Sequence, residues 1–122
     1  MTQSLPLIAV IDDDLSVRES LLDLLEVSGY PAVTYSSAQD FLVSPTMSEI
    51  QCLVLDISMP GMNGVDLNLE LKRRKVYIPV VFMTGHAQDA LINEAKRAGT
   101  CLFKPFAGRD LKEAIQEAVA RK

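Results

Sequence analysis

The 122-residue sequence contains no long apolar run and no dense stretch of one charge. A membrane-spanning helix needs about 20 consecutive apolar residues, and no stretch of even about 18 is present. The densest basic cluster, at residues 72–75, stands in a chain of net charge -4. Because this cluster falls where a helix is predicted to end, the helix dipole explains it better than nucleic-acid binding does. These absences exclude a transmembrane protein and predict no direct contact with nucleic acid.

Cysteine and histidine are also scarce, with two cysteines and one histidine in the chain. Cys52 and Cys101 lie far apart in apolar runs, which is typical of reduced core residues rather than of a disulfide, redox pair or metal site. The first residues carry no basic segment followed by an apolar one, so we expect no signal peptide and a cytoplasmic location. With 48% hydrophobic residues and no low-complexity segment, residues 1–122 are predicted to form a single domain.

The most informative stretch covers residues 52–64, an apolar run that ends on an acid and is followed by a turn rich in proline and glycine. Its first four residues are typical of a strand buried on both faces, as in a parallel sheet. Such a strand offers no polar partner along its length, so we expect Asp56 at the strand's carboxyl end, where ligands bind in open α/β sheets. Taken alone, the pattern is equally consistent with an aspartate that opens the loop predicted at residues 58–64.

Predicted strands and helices alternate five times along the chain. Ser16 and Glu19 fit a capping box, and Ser37 fits the cap of a second, shorter helix. In the segment of the third helix the leucines alternate as they would in a strand. We nevertheless predict a helix, because Gly64 precedes the segment and a basic turn follows it. The predicted strands are 7–11, 31–35, 52–55, 79–83 and 100–103, and the predicted helices are 16–28, 37–42, 65–75, 89–98 and 110–121.

This alternation is typical of an α/β protein in which helices cover both faces of a parallel sheet. Right-handed crossovers then bring the carboxyl ends of the strands to one edge of the sheet. Four of those ends carry residues with polar side chains, so we expect them to form one site. These residues are Asp12, Asp13 and Asp14 after the first strand, Asp56 after the third, Thr84 after the fourth and Lys104 after the fifth.

The grouped carboxylates at this edge predict a divalent metal ion. Two carboxylates about 4 Å apart repel by about 4 kcal/mol at an effective dielectric constant near 20. Asp12, Asp13 and Asp56 therefore need a cation or bound protons. Carboxylate and water ligands favour Mg²⁺, with Mn²⁺ as a substitute. Zinc is disfavoured because only one histidine and one cysteine lie near these strand ends.

The remaining side chains suit an anionic substrate on the far side of that metal ion. Lys104 offers a positive charge and Thr84 offers a hydroxyl donor. A carboxylate surrounded by a metal ion, an ammonium and a hydroxyl is a site for phosphoryl transfer, with Asp56 as the nucleophile.

These motifs resemble the receiver domain of two-component response regulators, and the resemblance covers nearly the whole chain. It rests on Asp12-Asp13, the stretch from Asp56 to Gly64, Thr84-Gly85, and Lys104-Pro105-Phe106, in this order and at about this spacing. It implies a flavodoxin-like, doubly wound fold of five parallel strands in the order 2-1-3-4-5 with five helices. It also implies a phosphorylation-dependent signalling switch, not a turnover enzyme, in which a histidine kinase's phosphohistidine transfers its phosphoryl group to Asp56.

The resemblance also implies a role for each site residue. Asp13, Asp56 and the backbone carbonyl of Ser58 would hold Mg²⁺ or Mn²⁺, and Asp12 would act mainly through a metal-bound water. Asp14 is an extra acid, for which we expect only a place near the N-terminus of the first helix.

Thr84 and Lys104 would each bind a phosphoryl oxygen. The implied partners are a sensor histidine kinase or phosphotransfer protein, and an output domain or partner protein that contacts the face of helix four, strand five and helix five. A homodimer on phosphorylation is a further expectation. Residues 37–42 and 83–86 look most like those of receivers that precede a helix-turn-helix transcription module.

Two features depart from the receiver pattern. The position three before the lysine, usually Tyr or Phe, is Cys101, and Phe103 lies on the same face of the strand directly before Lys104. The interval from Thr84 to Lys104 is 20 positions, which is shorter than is usual in the family. A separate hypothesis is that His86, two residues after Thr84, tunes the lifetime of the aspartyl phosphate.

Other functions fit the same residues less well. A receiver-like interaction adaptor that no longer switches is favoured by the two departures and disfavoured by the intact set of Asp56, Thr84 and Lys104. A small phosphatase with an aspartyl-phosphate intermediate is disfavoured because Ser58 stands where a haloacid-dehalogenase-like pattern needs a second acid. Flavin phosphate binding is rejected because the acids at residues 12–14 would repel it.

Overall fold

The computed structural model describes residues 5–85 and 89–120. Within these residues five parallel strands form one sheet in the order β2-β1-β3-β4-β5, flanked by five α-helices. The predicted doubly wound α/β fold is therefore confirmed. The strands are β1 (Ile8–Ile11), β2 (Ala32–Tyr35), β3 (Cys52–Asp56), β4 (Val80–Thr84) and β5 (Thr100–Phe103). The helices are α1 (Leu15–Val27), α2 (Ala38–Leu42), α3 (Gly64–Arg73), α4 (Asp89–Ala98) and α5 (Gly108–Ala120).

Helices cover both faces of the sheet because its three central strands are apolar on both sides. Every residue of β1, β3 and β4 is buried. On one face, Leu25 of α1 and Ile115 of α5 pack on the strands, and on the other face Phe41 of α2, Leu71 of α3 and Ala95 of α4 do so. None of the helices within the described ranges has the length and apolar character that crossing a membrane requires.

The start of α1 differs from the prediction. The capping box placed the N-cap at Ser16, whereas the structure has Asp14 as the N-cap. Its Oδ1 accepts hydrogen bonds from the backbone amides of Ser16 at 2.8 Å and Val17 at 3.4 Å. A carboxylate is well suited to this position because it also complements the positive end of the helix dipole. The helix ends as predicted, with Gly29 in the left-handed region at φ +89°.

The α3 segment is helical as predicted, in spite of its alternating leucines. Asn63 caps it by accepting a hydrogen bond from the amide of Asp66 at 2.9 Å. Leu67 and Leu71 are buried four residues apart, while Leu69 between them is exposed. This spacing of buried residues is that of one helix face, so helical packing overrides the period-two pattern.

Gly64, the first residue of α3, lets the helix begin against the end of β3. A Cβ atom at this position would lie 2.5 Å from the backbone oxygen of Asp56 and 2.9 Å from the Cα of Ile57. Both neighbours are backbone atoms, which cannot move aside as a flexible side chain can. A residue with a side chain would therefore push α3 away from the strand that carries Asp56.

Other differences from the prediction are small. Strand β3 includes Asp56 and β4 includes Thr84, so each polar residue ends its strand instead of opening the loop. Helix α5 begins at Gly108, two residues earlier than predicted, and a 3₁₀ helix at Met47–Glu49 was not predicted. His86 lies outside the described residues, so the hypothesis about it remains a prediction.

Both cysteines are free, as the sequence indicated. Cys52 is fully buried in the sheet, and burial raises the pKa of its thiol to about 12. Cys101 is partly buried, and burial raises the pKa of its thiol as well. Thiols of this kind are poor nucleophiles and poor metal ligands, which supports a packing role.

The Asp14 cap can be tested with paired substitutions. We expect Asp14→Ala to lower the free energy of unfolding by about 1 kcal/mol relative to Asp14→Asn, because asparagine keeps the capping acceptor while both variants lose the charge. Urea denaturation of the two variants, with Ser16→Ala as a third, measures the difference. If Ser16→Ala lowered the free energy of unfolding more than Asp14→Ala does, Ser16 and not Asp14 would be the N-cap.

Candidate functional site

The sheet brings the predicted polar residues to one edge. Ile11 pairs with Leu55 in the register of β1 and β3, so Asp12 and Asp56 are neighbours at the ends of those strands. Asp56 pairs in turn with Met83, the residue before Thr84. The backbone amide of Lys104 donates to the carbonyl oxygen of Thr84 at 2.8 Å, which places the end of β5 beside the end of β4.

Three carboxylates meet at this edge. One oxygen each from Asp12, Asp13 and Asp56 lies within 4.8 Å of the others. Asp12 is fully buried and Asp56 is buried, whereas Asp13 is exposed. Asp14 is not part of this cluster, because its carboxylate caps α1 while its backbone amide donates to Asp12 Oδ1 at 2.9 Å. Its expected place near the start of the first helix is confirmed.

Lys104 supplies positive charge to these carboxylates. Its Nζ lies 2.8 Å from Asp12 Oδ2 and 3.7 Å from Asp56 Oδ2. Burial by itself would lower the pKa of Lys104, but the hydrogen bond to Asp12 and the charges of Asp56 and Asp12 together raise it. The ammonium is therefore charged at neutral pH, and it binds Asp12 directly while lying close to Asp56. The peptide bond from Lys104 to Pro105 is cis, which sequence could not indicate.

Asp56 is the carboxylate whose ionisation is most affected by this environment. Its pKa is raised to about 6, mainly by burial, and the charges of Asp12 and Asp13 act in the same direction. The backbone amide of Ser58, which donates to Asp56 Oδ1 at 3.0 Å, and the charge of Lys104 act in the opposite direction. The one ammonium contacts two of the three carboxylates, so the cluster is short of positive charge.

Thr84 contributes a hydroxyl that has no hydrogen-bond partner within residues 5–85 and 89–120. The residue is 1% exposed, and among the described residues its Oγ1 is a buried atom without a hydrogen bond. Leaving a buried hydroxyl unpaired costs about 1–3 kcal/mol. A group kept in this state beside a cluster of acids is available to an oxygen ligand that enters the site.

The remaining predicted ligand, the backbone carbonyl of Ser58, lies in the loop directly after β3. The structure ties the amide of this residue to Asp56, and its carbonyl remains a predicted metal ligand. A contact that sequence reasoning missed is the hydrogen bond from Arg18 Nη1 to the backbone oxygen of Asp12 at 2.8 Å. No motif marks Arg18, because it reaches the site only through the first turn of α1.

Strand β5 contains Cys101, one of the two departures from the receiver pattern. Cys101 pairs with Phe82 and packs against the core under α4, while Phe103 pairs with Thr84 and is 49% exposed. The ammonium of Lys96, on α4, lies 5.3 Å from the centre of the Phe103 ring, within the range of a cation–π contact. Phe103 is thus the strand neighbour of Thr84 and its ring contacts a lysine of α4, while a cysteine occupies the usual aromatic position.

A family model described as the response regulator receiver domain matches residues 8–116. The chain belongs to the response regulator receiver family. Nodulation protein W of Bradyrhizobium diazoefficiens is 36% identical over 117 residues, which cover 94% of this chain and 52% of the relative. Transcriptional regulatory protein FixJ of Azorhizobium caulinodans is 40% identical over 123 residues, 99% of this chain and 58% of the relative.

The fold agrees with a solved structure of the same family. The crystal structure named FixJ-N has a TM-score of 0.86 and 32% sequence identity, and the match covers 100% of this chain and 98% of that one. The receiver spans about half the length of the curated relatives that it matches. The predicted resemblance to receivers linked to transcription regulators is confirmed by these relatives.

The residues at the strand ends suit the divalent ion that the family implies. The donor set consists of carboxylate oxygens, the ligands that Mg²⁺ prefers. Three carboxyl groups share this edge with the single ammonium of Lys104, so the cluster has more negative than positive groups. A hard divalent cation would supply that charge, and Asp13 has the solvent exposure that an entry path for the ion requires.

The raised pKa predicts a pH-dependent cost of ionising Asp56 in metal-free buffer. Its favourable contribution to the free energy of unfolding is greatest below pH about 4 and is lost as the pH rises through about 6. Because Asp56→Asn cannot ionise, we expect its stability relative to wild type to increase by about 1–2 kcal/mol across this window, after allowance for solvent screening.

Urea denaturation at a series of pH values, with a chelator present, measures this difference. Asp23→Asn, which removes an exposed carboxylate on α1, serves as the matched control. Its free energy of unfolding relative to wild type should change much less with pH. If the difference in the free energy of unfolding between Asp56→Asn and wild type stayed constant from pH 4 to 7, the raised pKa of Asp56 would be contradicted.

Proposed function

We propose that this receiver is a phosphorylation-dependent switch in which Asp56 accepts a phosphoryl group from the phosphohistidine of a sensor histidine kinase or phosphotransfer protein. The observation that carries the proposal is the surroundings of Asp56. They consist of two further carboxylates, the Lys104 ammonium and the hydroxyl of Thr84, which has no partner in the part of the chain that the structure describes. Carboxylates supply the nucleophile and the metal ligands, and the other two groups are donors for an incoming anion.

The geometry distinguishes the two oxygens of Asp56. Oδ1 is held by the amide of Ser58, so Oδ2, on the side of Lys104, is the oxygen that attacks phosphorus. A lone pair of Oδ2 forms the new P–O bond while the P–N bond to the donor imidazole breaks, and the imidazole leaves with that electron pair. At neutral pH the carboxyl group is mostly ionised, since its pKa is about 6.

Mg²⁺, or Mn²⁺ in its place, would be held by Asp13, Asp56 and the Ser58 carbonyl, with Asp12 acting mainly through a bound water. When bound, such an ion offsets the negative charge of the carboxylates and of the incoming phosphoryl oxygens. Hydrogen bonds from Lys104 and from the Asp14 amide hold the Asp12 carboxylate in place, so that the acid cluster keeps its shape before the anion arrives.

Phosphorylation would shift the conformation through Thr84. The phosphoryl group brings up to two negative charges and three strong acceptors where one carboxylate stood. Thr84 Oγ1 has no competing partner among the described residues, so a new hydrogen bond to a phosphoryl oxygen is gained in full. Moving a population from 1:99 to 99:1 needs about 5.5 kcal/mol of differential interaction, for which Thr84 and Lys104 are the sources.

The neighbours of Thr84 would carry that change to a partner surface. Thr84 pairs with Phe103, and the Phe103 ring contacts Lys96 of α4. We propose that α4, β5 and α5 form the surface that contacts an output domain or partner protein, or a second copy of the chain. The receiver would act in the cytoplasm as a signalling protein that regulates transcription, and it would not turn over an external substrate.

Incubation with acetyl phosphate and Mg²⁺ tests the phosphoacceptor. We expect intact mass spectrometry to show the gain of one phosphoryl group in the wild type and none in Asp56→Asn, because the amide lacks a nucleophilic oxygen. Omission of Mg²⁺ with added chelator should also prevent the gain. Asp66→Asn, an exposed acid on α3, is the matched control and should still be phosphorylated. Equal mass gain in Asp56→Asn would overturn the proposal.

Substitutions at Thr84 separate a switch from an adaptor that does not switch. We expect Thr84→Val, which keeps the shape and loses the hydroxyl, to be phosphorylated at Asp56 yet to lose the change in the Phe103 amide resonance that phosphorylation causes in the wild type. Thr84→Ser keeps a donor and should retain part of that change. Two-dimensional amide NMR spectra with acetyl phosphate and Mg²⁺ measure it.

The adaptor is the second candidate function, because Cys101 occupies the position where receivers usually have an aromatic ring. It would be favoured if wild-type phosphorylation left the resonances of Phe103 and of α4 unchanged.

A further inference from the structure

Arg18 binds the backbone of the acid cluster from outside the cluster. Its Nη1 donates a hydrogen bond at 2.8 Å to the backbone oxygen of Asp12, six residues earlier in the chain. That oxygen belongs to the peptide unit that joins Asp12 to Asp13. Because the donor is a charged guanidinium, the hydrogen bond is stronger than one between two neutral groups. Arg18 therefore fixes the orientation of the peptide unit between two of the three clustered acids.

The position of Arg18 within α1 is one that the helix itself does not favour. Asp14 is the N-cap, and the amide of Arg18 donates to the Asp14 carbonyl at 3.0 Å, the first hydrogen bond of the helix. A positive charge this close to the N-terminus of a helix lies at the positive end of the helix dipole, where it is unfavourable. Interaction with the helix thus does not account for this arginine, whereas its contact with Asp12 does.

The two acids on either side of this peptide unit are held in different ways. The Asp12 carboxylate is fully buried and accepts hydrogen bonds from the Asp14 amide and from Lys104 Nζ. The Asp13 carboxylate is exposed, and within residues 5–85 and 89–120 no group donates a hydrogen bond to it. The backbone therefore sets where the Asp13 carboxylate lies, and Arg18 binds the peptide unit directly before it.

We propose that Arg18 is a positioning residue for the divalent metal ion, because it fixes the peptide unit that places the Asp13 carboxylate in the acid cluster. The inference rests on the metal site of the proposed function and adds to it a residue that does not itself contact the ion. Groups that hold metal ligands in place typically contribute about 10–100-fold to metal affinity.

Binding of Mn²⁺ to the whole chain tests the proposal without any phosphorylation step. The electron paramagnetic resonance signal of free Mn²⁺ gives the dissociation constant. We expect Arg18→Met, which keeps an apolar stem and loses the donors, to weaken Mn²⁺ binding about tenfold. Lys72→Met is the matched control, because it removes an exposed positive charge near the end of α3 that is remote from Asp56. Its affinity for Mn²⁺ should equal that of the wild type.

Salt dependence separates positioning from a simple effect of charge. An interaction between exposed charges is screened by salt, whereas the loss of a direct hydrogen bond is not. We expect Arg18→Met to bind Mn²⁺ about tenfold more weakly than wild type at ionic strengths of both about 0.05 M and about 0.5 M. If the two affinities became equal at the higher ionic strength, the positioning role would be wrong.

The amide resonance of Asp13 reports on the contact directly, since this amide belongs to the same peptide unit as the Asp12 carbonyl. We expect Arg18→Met to shift that resonance in metal-free protein. Arg18→Lys keeps a charged donor, so it should restore part of the Mn²⁺ affinity. A lower melting temperature of Arg18→Met with wild-type Mn²⁺ affinity would show that Arg18 only stabilises the fold, and the proposal would fail.

Failure of the metal site itself would have a different result. In that case the wild type would not bind Mn²⁺, or Asp13→Asn would bind it as tightly as the wild type does. Either outcome would overturn the metal site of the proposed function together with the role of Arg18. Normal binding in the wild type, weak binding in Asp13→Asn and unchanged binding in Arg18→Met would overturn the role of Arg18 alone.

Discussion

Repulsion among the carboxylates of Asp12, Asp13 and Asp56 is the interaction around which the rest of the receiver is built. Charges within 4.8 Å of one another would move apart if their backbones were free. They cannot do so here, because β1 and β3, the strands before Asp12 and at Asp56, are buried along their whole length. The hydrophobic core therefore holds the charges in place, and Lys104 compensates only part of the excess.

Two other unfavourable features lie next to this one. The hydroxyl of Thr84 has no partner among the described residues, and a large part of the Phe103 ring is open to solvent. Taken separately, each would count as a local defect in packing. Taken together, they lie on neighbouring residues at the ends of β4 and β5. Local conflicts of this kind are expected where function, and not stability, determines the residue.

The fold and much of the candidate site could be predicted because both follow from regular patterns. Apolar runs that each end in a polar residue locate the strands, and parallel topology brings those residues to one edge, so Asp12, Asp56, Thr84 and Lys104 were identified together. The cap of α1 was predicted wrongly because Asp14 and Ser16 are both good caps, and backbone geometry decides between them.

Contacts that depend on side-chain reach could not be predicted. The bond from Arg18 to the Asp12 carbonyl and the contact of Lys96 with Phe103 join residues whose spacing carries no pattern. That Thr84 Oγ1 has no partner among the described residues is likewise a property of the packed interior and not of any motif. The strand-like leucines of α3 show the converse case, in which tertiary packing selects one of two periods that the sequence allows.

The close approach at Gly64 makes the two sides of the site mechanically unequal. The start of α3 is set directly against the backbone of Asp56, which leaves this helix no room to move closer to the strand. Helix α4, by contrast, has Ala95 as its one fully buried residue among those described. We therefore expect a structural change at the acid cluster to displace α4 more than α3.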